Sequence, residues 1–293
     1  MTDPVKSRGF DVPAAASLLT IYEYTATTSQ TGWLEHLRGI ATLFELKGPS
    51  FFHKHPARAL FIFIRMSIVF ATVIWRERSY LERSEWQDFL IAAEDEEETL
   101  QGIRIVNLLA RVSGLIQGML QPHNNPQSDW SSILDDLADW HQTWSRCLPA
   151  CLPRSVPAGS STEHTVLRKI LWYTRLNVAA AFCQYHAAII LVHKWSHRSA
   201  TQDSAMEPHP ATVQEHALSI CQSIPYLLAE EHSHLGAFYL LFPAYVACQA
   251  LNPEQAERQW LAGILAQVAR DKGIAIAKNL VHKLEEGQMG GKE

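Results

Sequence analysis

The chain has 293 residues, of which 47% are hydrophobic and 19% are charged, and its formal net charge is −5. A chain of this length can bury a large core in one or two domains. Nucleic-acid binding relies on clustered Lys and Arg, and no basic stripe or tail occurs here, so direct DNA or RNA binding is not expected. Five cysteines, mostly within apolar stretches, indicate the reduced thiols of an intracellular protein.

The longest apolar run, residues 59–74, predicts a buried helix rather than a membrane span. It is shorter than the ~20 residues that cross a bilayer, and it carries Arg65 near its centre. The first residues of the chain are polar and lack the apolar segment of a secretory signal. We therefore expect no membrane association.

Apolar residues at helical spacing, separated by Pro, Gly and polar clusters, predict an almost entirely helical chain. The predicted helices cover residues 13–28, 33–47, 59–74, 84–93, 100–120, 129–148, 166–195, 213–228, 235–250 and 253–284. No convincing strand run is visible. The fold class is therefore all-α: a single helical array of about ten helices, in which the Pro-rich segment near residue 155 could separate two lobes.

The domain prediction follows from the same pattern. Residues 1–12 are expected to be a flexible N-terminus, residues 13–286 the helical domain, and residues 287–293 a disordered tail. Within the helical domain, a linker is expected near residues 149–163 and a polar loop near residues 199–210.

Residues 33–49 form the most informative segment, a sharply bounded amphipathic helix that ends at Gly48 and Pro49. A second informative block runs from residue 220 to residue 279 and contains the Leu-Gly-Ala-Phe-Tyr-Leu-Leu-Phe-Pro segment that ends at Pro243. The residues of the first segment that carry a family resemblance are Trp33, His36, Leu37, Arg38, Gly39, Gly48 and Pro49. With the second block in the expected order, the chain resembles the regulatory domain of fungal zinc-cluster transcription factors.

The resemblance implies an all-α regulatory domain that works in the nucleus without a cofactor; the cytoplasm is the alternative location. Zinc-cluster factors also carry a basic module of six cysteines that binds DNA, and this sequence has no such module. Three explanations remain open: a standalone regulator that acts through a DNA-binding transcription factor or another regulatory protein, a fragment, or a helical scaffold repurposed for a small molecule. We expect the first, with a fungal secondary-metabolite gene cluster as its setting.

An enzyme is the alternative, because Asp135, Asp136 and Asp139 form a DDxxD pattern. Class I terpene synthases, which are also all-α, use this pattern to hold magnesium against a diphosphate. Carboxylates at positions i and i+4 lie on one helix face and could reach hard cations. The second metal motif of those enzymes is absent from the sequence, so a solvated helix face is the favoured interpretation, with no metal and no catalytic residue.

Two weaker patterns also have simple interpretations. His193 and His197 have the spacing of a helical zinc pair but lack a glutamate between them and an evident third ligand. The Cys147 and Cys151 thiols lack a second ligand pair at zinc-finger spacing. Neither pattern predicts a metal site.

A regulatory domain with an apolar pocket could bind a small-molecule ligand. Large aromatic side chains in the apolar helices are the candidate lining, although packing in the core is the favoured interpretation of each. The candidates are Phe61, Phe63, Trp172, Tyr173, Phe238, Tyr239 and Phe242.

Overall fold

The computed structural model describes residues 9–26, 29, 31–92, 94, 96–120, 127–158, 166–199 and 210–289. These residues form eleven α-helices and one two-stranded sheet, so the predicted all-α fold class is confirmed. The chain divides into two compact units, residues 1–120 and 121–293. This boundary comes earlier than the Pro-rich segment near residue 155 that the sequence suggested.

The first unit contains five α-helices: α1 (Asp11–Ala26), α2 (Gly32–Lys47), α3 (Ala57–Trp75), α4 (Ser84–Ile91) and α5 (Glu97–Gly118). The α2 helix forms as predicted, because its apolar residues recur at helical spacing. Trp33, Leu37 and Phe44 are fully buried. The helix ends at Gly48, whose φ of 72° lies in the left-handed region that glycine adopts without a steric penalty.

The α3 helix covers the longest apolar run and packs against α2 and α5. Arg65 lies buried within it, donating hydrogen bonds to the Ile103 carbonyl and to Asn107 Oδ1 on α5. Burial lowers the pKa of Arg65 to about 9, because the interior disfavours the charged form. The buried cation therefore ties α3 to α5.

The second unit contains six α-helices: α6 (Gln127–Cys147), α7 (Leu176–Ser199), α8 (Pro210–Leu227), α9 (Ser233–Ala250), α10 (Ala256–Asp271) and α11 (Ile276–Met289). The α7, α8 and α9 helices pack on one another and form the centre of this unit. The α6 helix adds one apolar face against α7. That face contains the buried residues Trp130, Ile133, Leu137, Trp140 and Trp144.

Two helices in the described residues are long and apolar enough to cross a bilayer by length and composition alone. They are Ala57–Trp75, half of which is buried within the protein, and Leu176–Ser196, of which 72% is buried. Both pack against other helices of their own unit. The absence of membrane association stays a prediction.

The expectation of no strand is wrong at one place. Strand β1 (Arg154–Pro157) pairs antiparallel with strand β2 (Lys169–Trp172), and Val156 lies opposite Ile170. The predicted helix over residues 166–195 consequently begins only at Leu176. Each strand is only four residues long and contains a single β-branched residue, Val156 or Ile170, so a search for long helical periodicity overlooks it. The expected flexible N-terminus lies mostly outside the described residues, as does most of the expected tail.

Candidate functional site

The α2 helix, which carries the family-like segment, is held from two sides. Its His36 Nε2 lies 3.7 Å from Oε1 of the buried Glu23 on α1. Its Arg38 donates to Glu77 Oε1 at 2.8 Å, and the guanidinium lies 4.3 Å from the centroid of the Trp75 ring. Both polar residues therefore bind segments that are remote in sequence, which explains why this helix carries specific polar side chains as well as an apolar face.

Arg38 also borders a cavity of about 620 Å³ in the first unit, between α2, the end of α3 and the chain that follows it. The lining residues are Arg38, Ala41, Thr42, Glu45, Ile68, Thr72, Trp75, Glu77, Arg78, Ser79, Tyr80, Glu82 and Arg83. This volume falls within the range of small-molecule sites.

The positively and negatively charged side chains that line this cavity are equal in number and balance each other. Arg78 Nε lies 2.6 Å from Glu82 Oε1, and Arg83 donates to Glu45. Because each arginine has a carboxylate partner, the rim suits a neutral or zwitterionic polar molecule better than a polyanion.

One wall of the cavity contains a tyrosine with an unused hydroxyl. Tyr80 is buried, and its hydroxyl has no hydrogen-bond partner among the described residues. Burial, together with the negative charge of Glu45, raises the pKa of Tyr80, so the hydroxyl keeps its proton and can donate. The oxygen of this hydroxyl is closed off from solvent, so the volume and the polar rim of the cavity, rather than this group, make it a candidate small-molecule site.

A histidine pair is the main polar feature of the second unit. Nδ1 of His186 on α7 lies 2.7 Å from Nδ1 of His216 on α8. Burial is the largest cause that lowers the pKa of His186 to about 3 and that of His216 to about 4, and the neighbouring histidines add to it. Both rings are therefore neutral near pH 7, and one donates its N–H to the other.

The sequence interpretation missed this pair. The two histidines are separated by 30 positions and belong to no motif. The sequence did hold one signal of a histidine cluster: His186 and His193 lie seven residues apart, which places them on one face of α7. In the structure, His193 and His141 are both among the groups that lower the pKa of His216.

Tyr173, one of the predicted pocket residues, belongs to a buried polar contact in the second unit. Its hydroxyl lies 2.6 Å from Ser223 Oγ, and Ser223 donates to the Ser219 carbonyl at 2.8 Å. Burial raises the pKa of the nearby Cys183 to about 12, so this thiol stays protonated and unreactive. All five cysteines are free: Cys183, Cys221 and Cys248 are buried, Cys151 is partly exposed and Cys147 is exposed.

The predicted pocket residues do not all lie together. Phe61 and Phe63 belong to the first unit and the other five to the second. Phe61 is fully buried in a cluster of aromatic rings with Phe44, Phe52, Trp86 and Phe89. In contrast, Phe63 and Trp172 are exposed, Tyr173 and Phe242 are buried, and Phe238 and Tyr239 are partly buried. An apolar pocket lined by any of them stays a prediction.

The aspartates of the DDxxD pattern lie on α6. Asp135 and Asp139 are exposed and Asp136 is partly buried, on a different face from the buried tryptophans. Among the described residues no group of three His, Cys, Asp or Glu side chains is placed to hold a metal ion. The side chain of His197, the second histidine of the predicted helical pair with His193, lies outside the described residues.

An apolar groove lies on the second unit between α8 and α10. It has a volume of about 490 Å³. Its lining residues are Ile224, Pro225, Leu228, Ala229, Trp260, Gly263, Ile264 and Gln267. All of them fall inside the second sequence block, residues 220–279, that carried the family resemblance.

Comparisons with known proteins agree with this resemblance. The profile of the family described as "Fungal specific transcription factor domain" matches residues 4–284. An uncharacterized protein of Emericella nidulans is 36% identical over 77 residues, which is 26% of this chain and 16% of that protein. The match thus covers a small part of this relative, and no solved structure matches the chain. Since the family profile spans nearly the whole chain, the protein belongs to the family of fungal specific transcription factor domains.

Proposed function

We propose that this chain regulates transcription through partner proteins rather than by contacting DNA itself. Its family membership supports a regulatory role, and transcription-factor domains of this kind act in the nucleus. Its net charge of −5 supports the choice of protein partners, because DNA affinity rests on unpaired basic side chains. In the first unit, Arg38, Arg78 and Arg83 already pair with glutamates.

The apolar groove between α8 and α10 is the observation that carries the proposal. Trp260, Ile264 and Leu228 are all partly exposed along it, so a partner could cover them without opening the core. Grooves of this kind accept the apolar face of an amphipathic helix. Tryptophan residues at such positions often supply a large part of the binding energy. The partner would be another regulatory protein, such as a DNA-binding transcription factor.

A glycine in the groove allows a direct test. Gly263 lies on α10, is exposed, and has open space where a side chain would project. A Gly263→Arg variant should fill the groove with a charged side chain and leave the fold intact. Gly102→Arg on α5 is the matched control, because this helical glycine also has open space around it and lies in the other unit.

The assay fuses the chain to a heterologous DNA-binding domain and measures a reporter gene in a filamentous fungus. We expect the wild-type fusion and the Gly102→Arg control to change reporter expression equally, and the Gly263→Arg fusion to lose the effect. A wild-type fusion without any effect would contradict the proposed regulatory function. Equal activity of all three fusions would instead reject the groove as the binding site.

The proposed biological setting is a fungal secondary-metabolite gene cluster. This part rests on the resemblance alone. Deletion of the gene should lower the transcripts of neighbouring biosynthetic genes, and a fluorescent fusion should accumulate in the nucleus. Unchanged transcripts in the deletion strain would remove the secondary-metabolite proposal and leave the regulatory one standing.

A further inference from the structure

The two-stranded sheet of the second unit has an outer edge that no described strand covers. Strand β2 packs against α8, and β1 pairs with β2 alone among the described strands. Directly after β1, the Ala158 N–H donates to the Arg168 carbonyl at 3.3 Å. Because the hydrogen bonds of an antiparallel ladder repeat every two residues, the backbone groups of Ser155 and Pro157 point away from β2. Pro157 has no N–H, as is usual for a residue on an outer edge.

The same sheet carries positive charge on an acidic chain. Residues 146–177 contain five Lys and Arg residues and one Glu, whereas the net charge of the whole chain is −5. Arg154, Arg168 and Lys169 are exposed, and their side chains have no carboxylate partner in the described part of the chain. The arginines that line the cavity of the first unit, in contrast, are all paired with glutamates. An anionic partner would therefore find unpaired cations on this sheet.

The register of the sheet places two of these cations around an apolar centre. Arg154 lies opposite Trp172, and Val156 lies opposite Ile170. Side chains alternate between the two faces of a strand, so these four residues share one face, together with Arg168. Trp172 is 41% exposed, and Val156 and Ile170 are partly exposed. This face therefore offers a cation near each end and apolar surface between them.

We propose that the outer edge of β1 binds an acidic, extended segment of a partner protein, which adds a third strand antiparallel to β1. An added strand lies about 4.8 Å from its neighbour, so its side chains would stand beside those of Arg154 and Val156. The segment that fits best has a carboxylate beside Arg154, an apolar side chain beside Val156, and a further carboxylate on the other face, towards Lys169. Its backbone would hydrogen-bond to Ser155 and to the Pro157 carbonyl, as in other complexes formed by strand addition.

A protein segment fits this edge better than a nucleic acid does. A peptide backbone continues the hydrogen-bond ladder of a sheet, which a sugar-phosphate backbone cannot do. Three unpaired cations are also few for a surface that binds a phosphate backbone, which relies on many such contacts. The sheet shares no residue with the groove between α8 and α10. The proposal therefore does not depend on the proposed transcriptional function.

Fluorescence anisotropy of the full chain with a labelled acidic probe, the peptide Glu-Glu-Val-Thr-Glu, tests the proposal. We expect a dissociation constant below about 100 μM at low salt. Arg154→Glu/Lys169→Glu should raise this constant at least about 20-fold, because carboxylates would then face carboxylates. Arg270→Glu/Lys278→Glu is the matched control, since it changes the net charge equally at two exposed residues of the same unit outside the sheet. It should leave binding unchanged.

Two modified probes separate strand addition from simple attraction between charges. With the central valine beside Val156, the threonine N–H of the probe donates to the Ser155 carbonyl, whereas the valine N–H faces solvent. N-methylation of the threonine should therefore abolish binding, and N-methylation of the valine should preserve it. The Arg154→Glu/Lys169→Glu protein should bind the charge-reversed probe Lys-Lys-Val-Thr-Lys, which also shows that its fold is intact.

Several outcomes would overturn the proposal. One is a wild-type chain that does not bind the acidic probe at about 500 μM. Others are an equal loss of binding in the Arg270→Glu/Lys278→Glu control, equal effects of the two N-methylations, and a charge-reversed probe that does not bind the charge-reversed protein. A chain that ignores the acidic probe but binds an oligonucleotide through Arg154 and Lys169 would overturn it as well, and would identify the sheet as a nucleic-acid surface.

Discussion

The hydrogen-bonded histidine pair should make the second unit sensitive to mildly acidic pH. His186 and His216 stay neutral in the folded state because burial, with a smaller contribution from the nearby histidines, lowers their pKa values to about 3 and about 4. In the unfolded chain the same rings titrate near pH 6.5. Below that pH the unfolded state binds more protons than the folded state, so stability falls as the pH falls.

The size of the effect follows from the two pKa differences. Each histidine that stays neutral in the folded state and is protonated in the unfolded state lowers the unfolding free energy by about 1.4 kcal/mol for each unit that the pH falls. Both rings are only partly buried, so solvent screening should reduce the sum to about half. The pair should therefore remove roughly 2 kcal/mol of unfolding free energy between pH 6.5 and pH 5, and nothing above pH 7.

Urea unfolding at several pH values, followed by circular dichroism, measures this effect. Between pH 6.5 and pH 5, the unfolding free energy of the double variant His186→Gln/His216→Gln should fall by about 2 kcal/mol less than that of the wild type, because neither glutamine titrates. His234→Gln serves as the control, since His234 is an exposed histidine of the same unit. Carboxylates contribute equally to all three proteins and cancel in the comparison. Parallel pH profiles for the wild type and the double variant would refute the reasoning.

Three further predictions concern DNA, the core and the aspartates. The purified chain should show no specific affinity for duplex DNA at physiological salt, and fluorescence anisotropy that detects binding below about 1 μM would contradict this. Leu241→Asp should lower the unfolding free energy by several kcal/mol, because Leu241 is 2% exposed on α9 and the new carboxylate would be buried without a partner; an unchanged melting temperature would disprove it. The double variant Asp135→Asn/Asp139→Asn should change stability by less than about 1 kcal/mol, as exposed substitutions do. Millimolar magnesium with a diphosphate should not shift the wild-type melting temperature, and a shift of several degrees that this variant loses would instead support a terpene-type enzyme.

Local patterns were enough to predict most of the helices. The α2 helix was predicted with its end at Gly48, because helical spacing and a glycine stop are properties of neighbouring residues. The burial of Arg65 within α3 was compatible with the same pattern, yet its partners on α5 were not predictable. The sheet of β1 and β2 was missed because each strand is only four residues long, and because the apolar residues of β2 had been assigned to the start of a helix.

The candidate sites were less predictable than the helices. The sequence highlighted Arg38 through a family resemblance, whereas its cavity depends on Glu77 and Tyr80, which follow a different helix. The sequence also directed attention to aromatic residues that the structure distributes over two units. Resemblance can mark a residue as informative, but the residues that complete its site come from elsewhere in the chain.

The sequence by itself determined the helical class, the approximate position of most helices and the family, because these follow from short-range periodicity and from segments that stay contiguous. Only the tertiary structure decided which face of each helix meets the core. In α1 the apolar face is exposed, since Ser17 and Thr20 can satisfy their hydroxyls within the helix and pack closely on the neighbouring helices. The pairing of His186 with His216 likewise required α7 to meet α8. Such contacts join residues far apart in the chain, and their geometry depends on how all the helices of a unit pack together.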